Sequence, residues 1–249
     1  MLGTLWTDFI TGFQFFTRIP VVSQTEWSLE SFGRSVKMLP FIGAIIGLLL
    51  GGGAYLLQHY AGAPAHVLAV TLIVAEIIIT GGLHCDGFMD TADGIFSGRP
   101  KERMLEIMKD SRVGAFGAMA FALLILTKYS FYLDIDPALL PFACFAMAIG
   151  GKMGLVVAVT SFPYARPEGL GKMFFQHHDR HALLIAAVLA ALLLAPFGVR
   201  ALGGGAAACI AAVIVGRYVN ARLDGLTGDV YGAVNEVAQL AVLLVFCVK

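Results

Sequence analysis

What this 249-residue chain lacks is charge. Asp, Glu, Lys and Arg make up only 14% of it, against 58% hydrophobic residues and a mean hydropathy of +0.81. Soluble domains run near 25% charged. The composition therefore excludes a soluble enzyme, a disordered protein and a nucleic-acid binder with a basic face. The 17 basic and 17 acidic residues cancel, so net charge points to no partner and only the positions of the charges inform. Cysteine is scarce too, at Cys85, Cys144, Cys209 and Cys247. No two of these have metal-ligand or redox-motif spacing, and we read them as small core residues. No positive charge precedes the apolar residues of Met1–Trp6, so a cleavable signal is not expected.

What the chain has is long apolar runs. No charged residue lies between Met38 and Ala75, room for two crossings of roughly 20 residues each. The runs predict an all-α polytopic membrane protein, a single integral domain over 1–249. About seven spans are expected, at 38–57, 65–83, 113–133, 138–160, 182–199, 201–219 and about 230–248. Leu2, Leu5, Trp6, Phe9, Phe13 and Phe16 recur at helical spacing, with Thr7, Asp8, Thr11 and Gln14 elsewhere on the wheel. They predict an N-terminal amphipathic helix on the membrane surface or tucked against the bundle. Met104, Leu105 and Met108 give one apolar face to a second amphipathic helix near 100–111. Gly43, Gly47 and Gly51 form a small-residue stripe that lets helices approach closely. Such stripes serve packing within a chain or between chains, which leaves a homo-oligomer open.

With the N-terminus inside, the inner segments carry Arg18, Arg34, Lys37, Arg99, Lys101, Arg103, Lys109, Arg112, Arg166, Lys172, Arg180, Arg217 and Arg222. Only Arg200 and Lys249 fall outside, while Lys128 and Lys152 fall within spans. The asymmetry predicts a multi-pass protein of the cell (inner) membrane whose N-terminus and long polar loops are cytoplasmic.

The chemistry concentrates in Gly81–Gly94, which holds Asp86, Asp90 and Asp93 with no cation among them. On a helix these sit at i, i+4 and i+7, within an arc of about 60°. Neighbouring carboxylates repel by roughly 2–3 kcal/mol at an effective dielectric of 20, and a bound cation is the simplest offset. Carboxylates without His or Cys partners favour a hard ion such as Mg²⁺, usually held together with substrate phosphates. The competing reading is a solvated, helix-capping acidic loop. His84 is either a proton acceptor or phosphate contact, or a packed interfacial residue. Asp110, Ser111 and Arg112 precede the third span, and Arg112 is a phosphate clamp or a positive-inside anchor. A second polar cluster joins Asp224 and Asp229 on a Gly-hinged loop before the last span. Arg166 and Lys172 offer themselves to anions. Glu76 and Glu236 lie within spans and are functional candidates on that ground. His177 and His181 lack a third ligand for zinc.

Three motifs carry a resemblance. They are Thr80–Gly94 (TGGLHCDGFMDTADG), Leu105–Gly114 (LEIMKDSRVG) and Gly225–Ala233 (GLTGDVYGA), with Phe16–Pro20 (FTRIP) in support. Together they resemble the adenosylcobinamide-GDP ribazoletransferases, also called cobalamin 5'-phosphate synthases, over nearly the whole chain and in the expected order. Cys85 stands where an apolar residue is expected. The resemblance implies a Mg²⁺-dependent transferase. A ribose hydroxyl of α-ribazole, or of its 5'-phosphate, attacks the corrinoid-linked phosphorus of adenosylcobinamide-GDP and GMP leaves. On that reading Asp86, Asp90 and Asp93 hold Mg²⁺ as the catalytic centre, with His84 beside them. Asp110, Asp224 and Asp229 complete the metal shell or orient the nucleophile, and Arg112, Arg166 and Lys172 take phosphate charge. A CDP-alcohol or prenyl-diphosphate transferase using the same cluster is the alternative enzyme. A divalent-cation transporter is the non-enzymatic one.

Overall fold

The computed structural model describes residues 2–23 and 28–248. Met1, residues 24–27 and Lys249 lie outside the described residues, and the expected outer position of Lys249 with them. Twelve α-helices run through the described chain: α1 Leu2–Phe16, α2 Leu29–Ser35, α3 Leu39–His59, α4 Ala65–Thr80, α5 Leu83–Phe96, α6 Lys101–Ile107, α7 Ala115–Asp134, α8 Leu140–Ser161, α9 Leu170–His177, α10 Ala182–Leu194, α11 Gly198–Leu223 and α12 Gly228–Cys247. The all-α membrane architecture expected from the runs is present.

Five helical stretches among the described residues are long and apolar enough to cross a membrane, or six if the bent α4–α5 pair is one span. A count of seven is not established. It requires α4 and both arms of the 182–223 stretch to cross. That stretch doubles back at Gly198, where φ is +83°, and a Cβ at Gly205 on the return arm would lie 2.8 Å from Leu194 Cδ1. The first arm, α10, has only 13 residues, about 20 Å at 1.5 Å per residue.

Helix α8 is the axis of the bundle, flanked by α3, α10, α11 and α12. Its small and medium residues are buried on every side, the pattern of a helix with no lipid-facing stripe. The Gly43/Gly47/Gly51 stripe of α3 lies against the α8 backbone, where added Cβ atoms would meet Ala148 O, Phe145 Cα and Pro141 O at 2.5, 2.8 and 2.4 Å. The stripe is therefore used within the chain.

Helix α1 is tucked against α2 and α3. Asp8, expected on its polar side, is instead 1% exposed and bonded to Arg34 Nε at 3.0 Å. Helix α6 is shorter than the expected 100–111 and buries Met104 against α5.

Two lysines of the spans are fully buried. Lys128 Nζ donates to Glu76, Glu236 and Gln239 at 2.9, 2.7 and 2.7 Å. Lys152 Nζ lies 2.7 Å from His84 Nε2 and 2.9 Å from Asn235 Oδ1. Charges in a low-dielectric interior persist when paired and hydrogen-bonded, and these pairs tie α4, α5, α7 and α8 to α12.

Candidate active site

The site begins at a bend. Gly81 and Gly82 both adopt positive φ, +65° and +70°, and α5 leaves α4 at 92°. Helix α5 therefore turns sharply away from the axis of α4. Its carboxylate stripe grades from exposed Asp86 through half-buried Asp90 to buried Asp93.

The grading separates their roles. Asp93 accepts from the Gly114 and Gly117 amides at 2.7 and 2.8 Å. It thus caps the N-terminus of α7, whose first amides have no partner within the helix. The helix-capping reading holds for Asp93. Among the described residues Asp86 and Asp90 have no ion pair and no side-chain hydrogen bond. Burial, then the charges of Asp86, Asp229 and Asp93, push the Asp90 carboxyl up to about 7. Two open carboxylates without an ion-pair partner are what a cation would correct.

Asp229 enters from α12. A Cβ on Gly87 would lie 2.6 Å from Asp229 O, so only a glycine lets α5 and α12 come this close. Gly87→Ala is expected to push the helices apart, lowering stability by about 1–3 kcal/mol as overpacking does; the thermal midpoint checks it. The loop 163–169 is fastened to the loop before α12 by Ala165 N→Leu226 O and Leu226 N→Pro163 O, both 2.8 Å. Gly225, at φ +154°, permits this approach: its Cβ would meet Ala165 N at 2.7 Å. The seam delivers Arg166, whose Nη1 bonds Asp229 Oδ2 at 2.9 Å. Arg166 Nε and Nη2 and the Tyr231 hydroxyl are buried without hydrogen-bond partners.

Between these groups opens a cleft of about 240 Å³ lined by Asp86, Asp229 and Arg166 at one edge and by Phe16, Phe174, Tyr164 and Tyr231 elsewhere. His84 also lines it but is 2% exposed and stacks on Phe16 at 5.7 Å. Burial, then the charges of Lys152 and Lys128, hold His84 well below its usual range, so it is neutral. An ammonium only donates, so Nε2 accepts from Lys152 and the ring proton sits on Nδ1. The nitrogen that would accept a proton is already engaged, and His84 matches its packed reading.

The other expected site residues are not brought to the carboxylates. Arg112, 87% exposed, folds back on Asp110 at 2.6 Å; its guanidinium holds that carboxyl at about 2. Ser111 is exposed in the same loop. Asp224 ends α11 in the left-handed region and pairs with Lys101 at 3.0 Å. Lys172 Nζ donates to Pro167 O. The transporter reading is not favoured, because the acids it would use within the spans, Glu76 and Glu236, are both engaged by Lys128.

No group of three His, Cys, Asp or Glu side chains among the described residues forms a ready metal cage. Mg²⁺ does not need one: it usually takes one or two carboxylates and keeps the rest of its shell for water and substrate phosphates. Asp86 and Asp90, open and without ion-pair partners, fit that demand; Asp93, committed to α7, fits it less well than the spacing implied.

Residues 8–247 match the family described as CobS, cobalamin-5-phosphate synthase. An adenosylcobinamide-GDP ribazoletransferase of Clostridium acetobutylicum is 36% identical over 236 residues, covering 93% of this chain and 92% of its own. The one of Desulfitobacterium hafniense is 38% identical over 241 residues, 92% of each chain, and that of Acetivibrio thermocellus 35% over 234 residues, 93% and 94%. No solved structure matches. With the acidic motif, the Arg166–Asp229 seam and a family match spanning all but the chain ends, this chain belongs to the cobalamin-5-phosphate synthase family.

Proposed function

We propose that the chain joins α-ribazole, or its 5'-phosphate, to adenosylcobinamide-GDP at the cytoplasmic face of the cell membrane. The observation that carries this reading is the pair of carboxylates without ion-pair partners, Asp86 and Asp90, of which Asp86 lines one cleft with Arg166 and its two unused donors. A diphosphate needs both: a metal-binding edge and a guanidinium.

In the transfer, the ribose oxygen forms a bond to the corrinoid-linked phosphorus. The bond from that phosphorus to the bridging oxygen breaks, and GMP leaves with that oxygen. Asp86 and Asp90 hold Mg²⁺, which when bound neutralises charge on the diphosphate. Arg166 takes phosphate charge through its two free donors. Asp229, fixed by Arg166 and lining the cleft, orients the hydroxyl and accepts its proton. Asp93 fixes the end of α5 against α7, and Lys152 fixes His84 in the wall. The positive-inside distribution supports placing this end of the bundle in the cytoplasm.

Purified protein incubated with both substrates is expected to release GMP with Mg²⁺ and none with chelator; GMP release indifferent to chelator would remove the metal from this account. Because Asp90 lies near 7 without a cation, the metal must displace a proton at or below neutrality. The Mg²⁺ concentration for half-maximal rate is therefore expected to rise about five- to sixfold between pH 7 and pH 6 and to change little above pH 8. Rate titrations at several pH values test the sign.

A further inference from the structure

We infer that the cleft between α1, α5, α9 and α12 is the seat of the nucleophile, a nucleoside with a flat, apolar two-ring base, and not of the corrin ring or the guanine of the other substrate, whose diphosphate stays at the Asp86–Arg166 edge. The inference rests on the transfer reaction proposed above.

Size is the first argument. At about 240 Å³ the cleft falls below the roughly 300–1,000 Å³ that takes a drug-sized ligand. A nucleoside fits that scale and a corrin ring does not. The walls supply the second. Phe16 and Phe174 are 3% exposed with ring centroids 5.5 Å apart, and Leu83 and Leu155 line the same space. An apolar bicyclic base gains from such walls. Guanine would bring its amide and amino edge against them with no partner, a cost of the kind buried polar groups incur.

The third argument is what remains unsatisfied. Tyr231 is 3% exposed and its hydroxyl has no partner; Arg166 Nε and Nη2 are equally buried and equally unpaired. Buried orphan donors are rare in native proteins. An acyl chain would leave the Tyr231 hydroxyl unmet, whereas a ribose oxygen would meet it; Arg166 Nε and Nη2 stay with the phosphates at the edge of the cleft. Asp229 sits on the same edge as Arg166, so a sugar bound there presents its hydroxyl to the proposed proton acceptor. These donors are out of water's reach, so entry parts the 163–169 loop from α12.

Two variants test the assignment. Leu170→Trp adds bulk from an exposed lining position, Leu170 being 56% exposed, without touching the core. Tyr231→Phe removes one hydroxyl only. Rates are read with each substrate varied against saturation by the other. Leu170→Trp is expected to raise KM for α-ribazole at least about tenfold and Tyr231→Phe about three- to tenfold, as loss of one hydrogen bond does. KM for adenosylcobinamide-GDP should stay within about twofold. Calorimetric titration of α-ribazole into the detergent-solubilised protein, with guanosine as comparison, supplies a readout independent of turnover. Binding of α-ribazole weakened by both variants, with none for guanosine, supports the inference. A rise in KM for the corrinoid substrate, equal rises in both, unchanged α-ribazole binding, or tighter binding of guanosine overturns it. Should the wild type bind α-ribazole in this cleft yet release no GMP, the seat stands and the transfer reaction falls.

Discussion

Asp86→Asn and Asp90→Asn are expected to abolish turnover while leaving the protein as stable as the wild type, or more so. Each carboxylate stands without ion pair or side-chain hydrogen bond among the described residues, so neutralising either removes repulsion and breaks no contact. Relief of one neighbour's charge is worth up to roughly 2–3 kcal/mol at an effective dielectric of 20. Loss of one electrostatic contact to a developing charge costs on the order of 10²–10³ in rate; loss of a metal-holding carboxylate should cost at least that. Asp93→Asn is the internal contrast. It weakens an acceptor for the Gly114 and Gly117 amides, and a lost cap costs about 0.5–2 kcal/mol. Stability should therefore fall for Asp93 and hold for the other two. GMP release and thermal midpoints of the three purified variants decide the matter. Equal loss of stability across the stripe would return all three to the role of helix caps.

Lys128→Met is expected to have the largest effect on stability. The ammonium is 2% exposed and bridges Glu76 and Glu236, so its loss leaves two facing carboxylates in the interior of the bundle. Removing one partner of a buried ion pair costs about 3–5 kcal/mol. The triple variant Lys128→Met, Glu76→Gln, Glu236→Gln should recover much of that loss, because replacing a whole buried charge cluster is often neutral. Chemical denaturation in a fixed detergent distinguishes these outcomes. A single variant as stable as the wild type would show that water reaches the cluster. A triple variant no better than the single one would show that the hydrogen bonds, and not the charges, hold the helices.

Much of the architecture was legible because lipid imposes simple rules. The charge-free run after Met38 and the breaks at Gly62 and Pro137 mark α3, α4, α7 and α8 within a few residues. The Gly81–Gly82 bend was not legible: two glycines before an acidic helix do not say that the chain turns by 92°. The number of crossings also stayed open, since the 13-residue α10 and its return arm look alike in hydropathy.

At the site, local spacing placed Asp86, Asp90 and Asp93 on one helical face, but periodicity shows a shared face and not what packs on it. The partner of Asp93, the start of α7, is tertiary information. The same limit explains Arg112 and Asp224, which the fold spends on Asp110 and Lys101. Lys152 carried a readable signal, a lysine within an apolar run, yet its bond to His84 was invisible across their separation in sequence. Tyr164 gave no signal of its own; its place depends on the seam between two loops.

The most direct test of the central claim is a Mn²⁺ titration, followed by electron paramagnetic resonance, of detergent-solubilised protein with and without adenosylcobinamide-GDP. Mn²⁺ serves as the probe for Mg²⁺. Binding is predicted to be weak to the protein alone, to tighten by at least about tenfold when the diphosphate is present, and to vanish in the Asp86→Asn, Asp90→Asn double variant. Unchanged Mn²⁺ binding in that double variant, or binding indifferent to the diphosphate, would contradict the account.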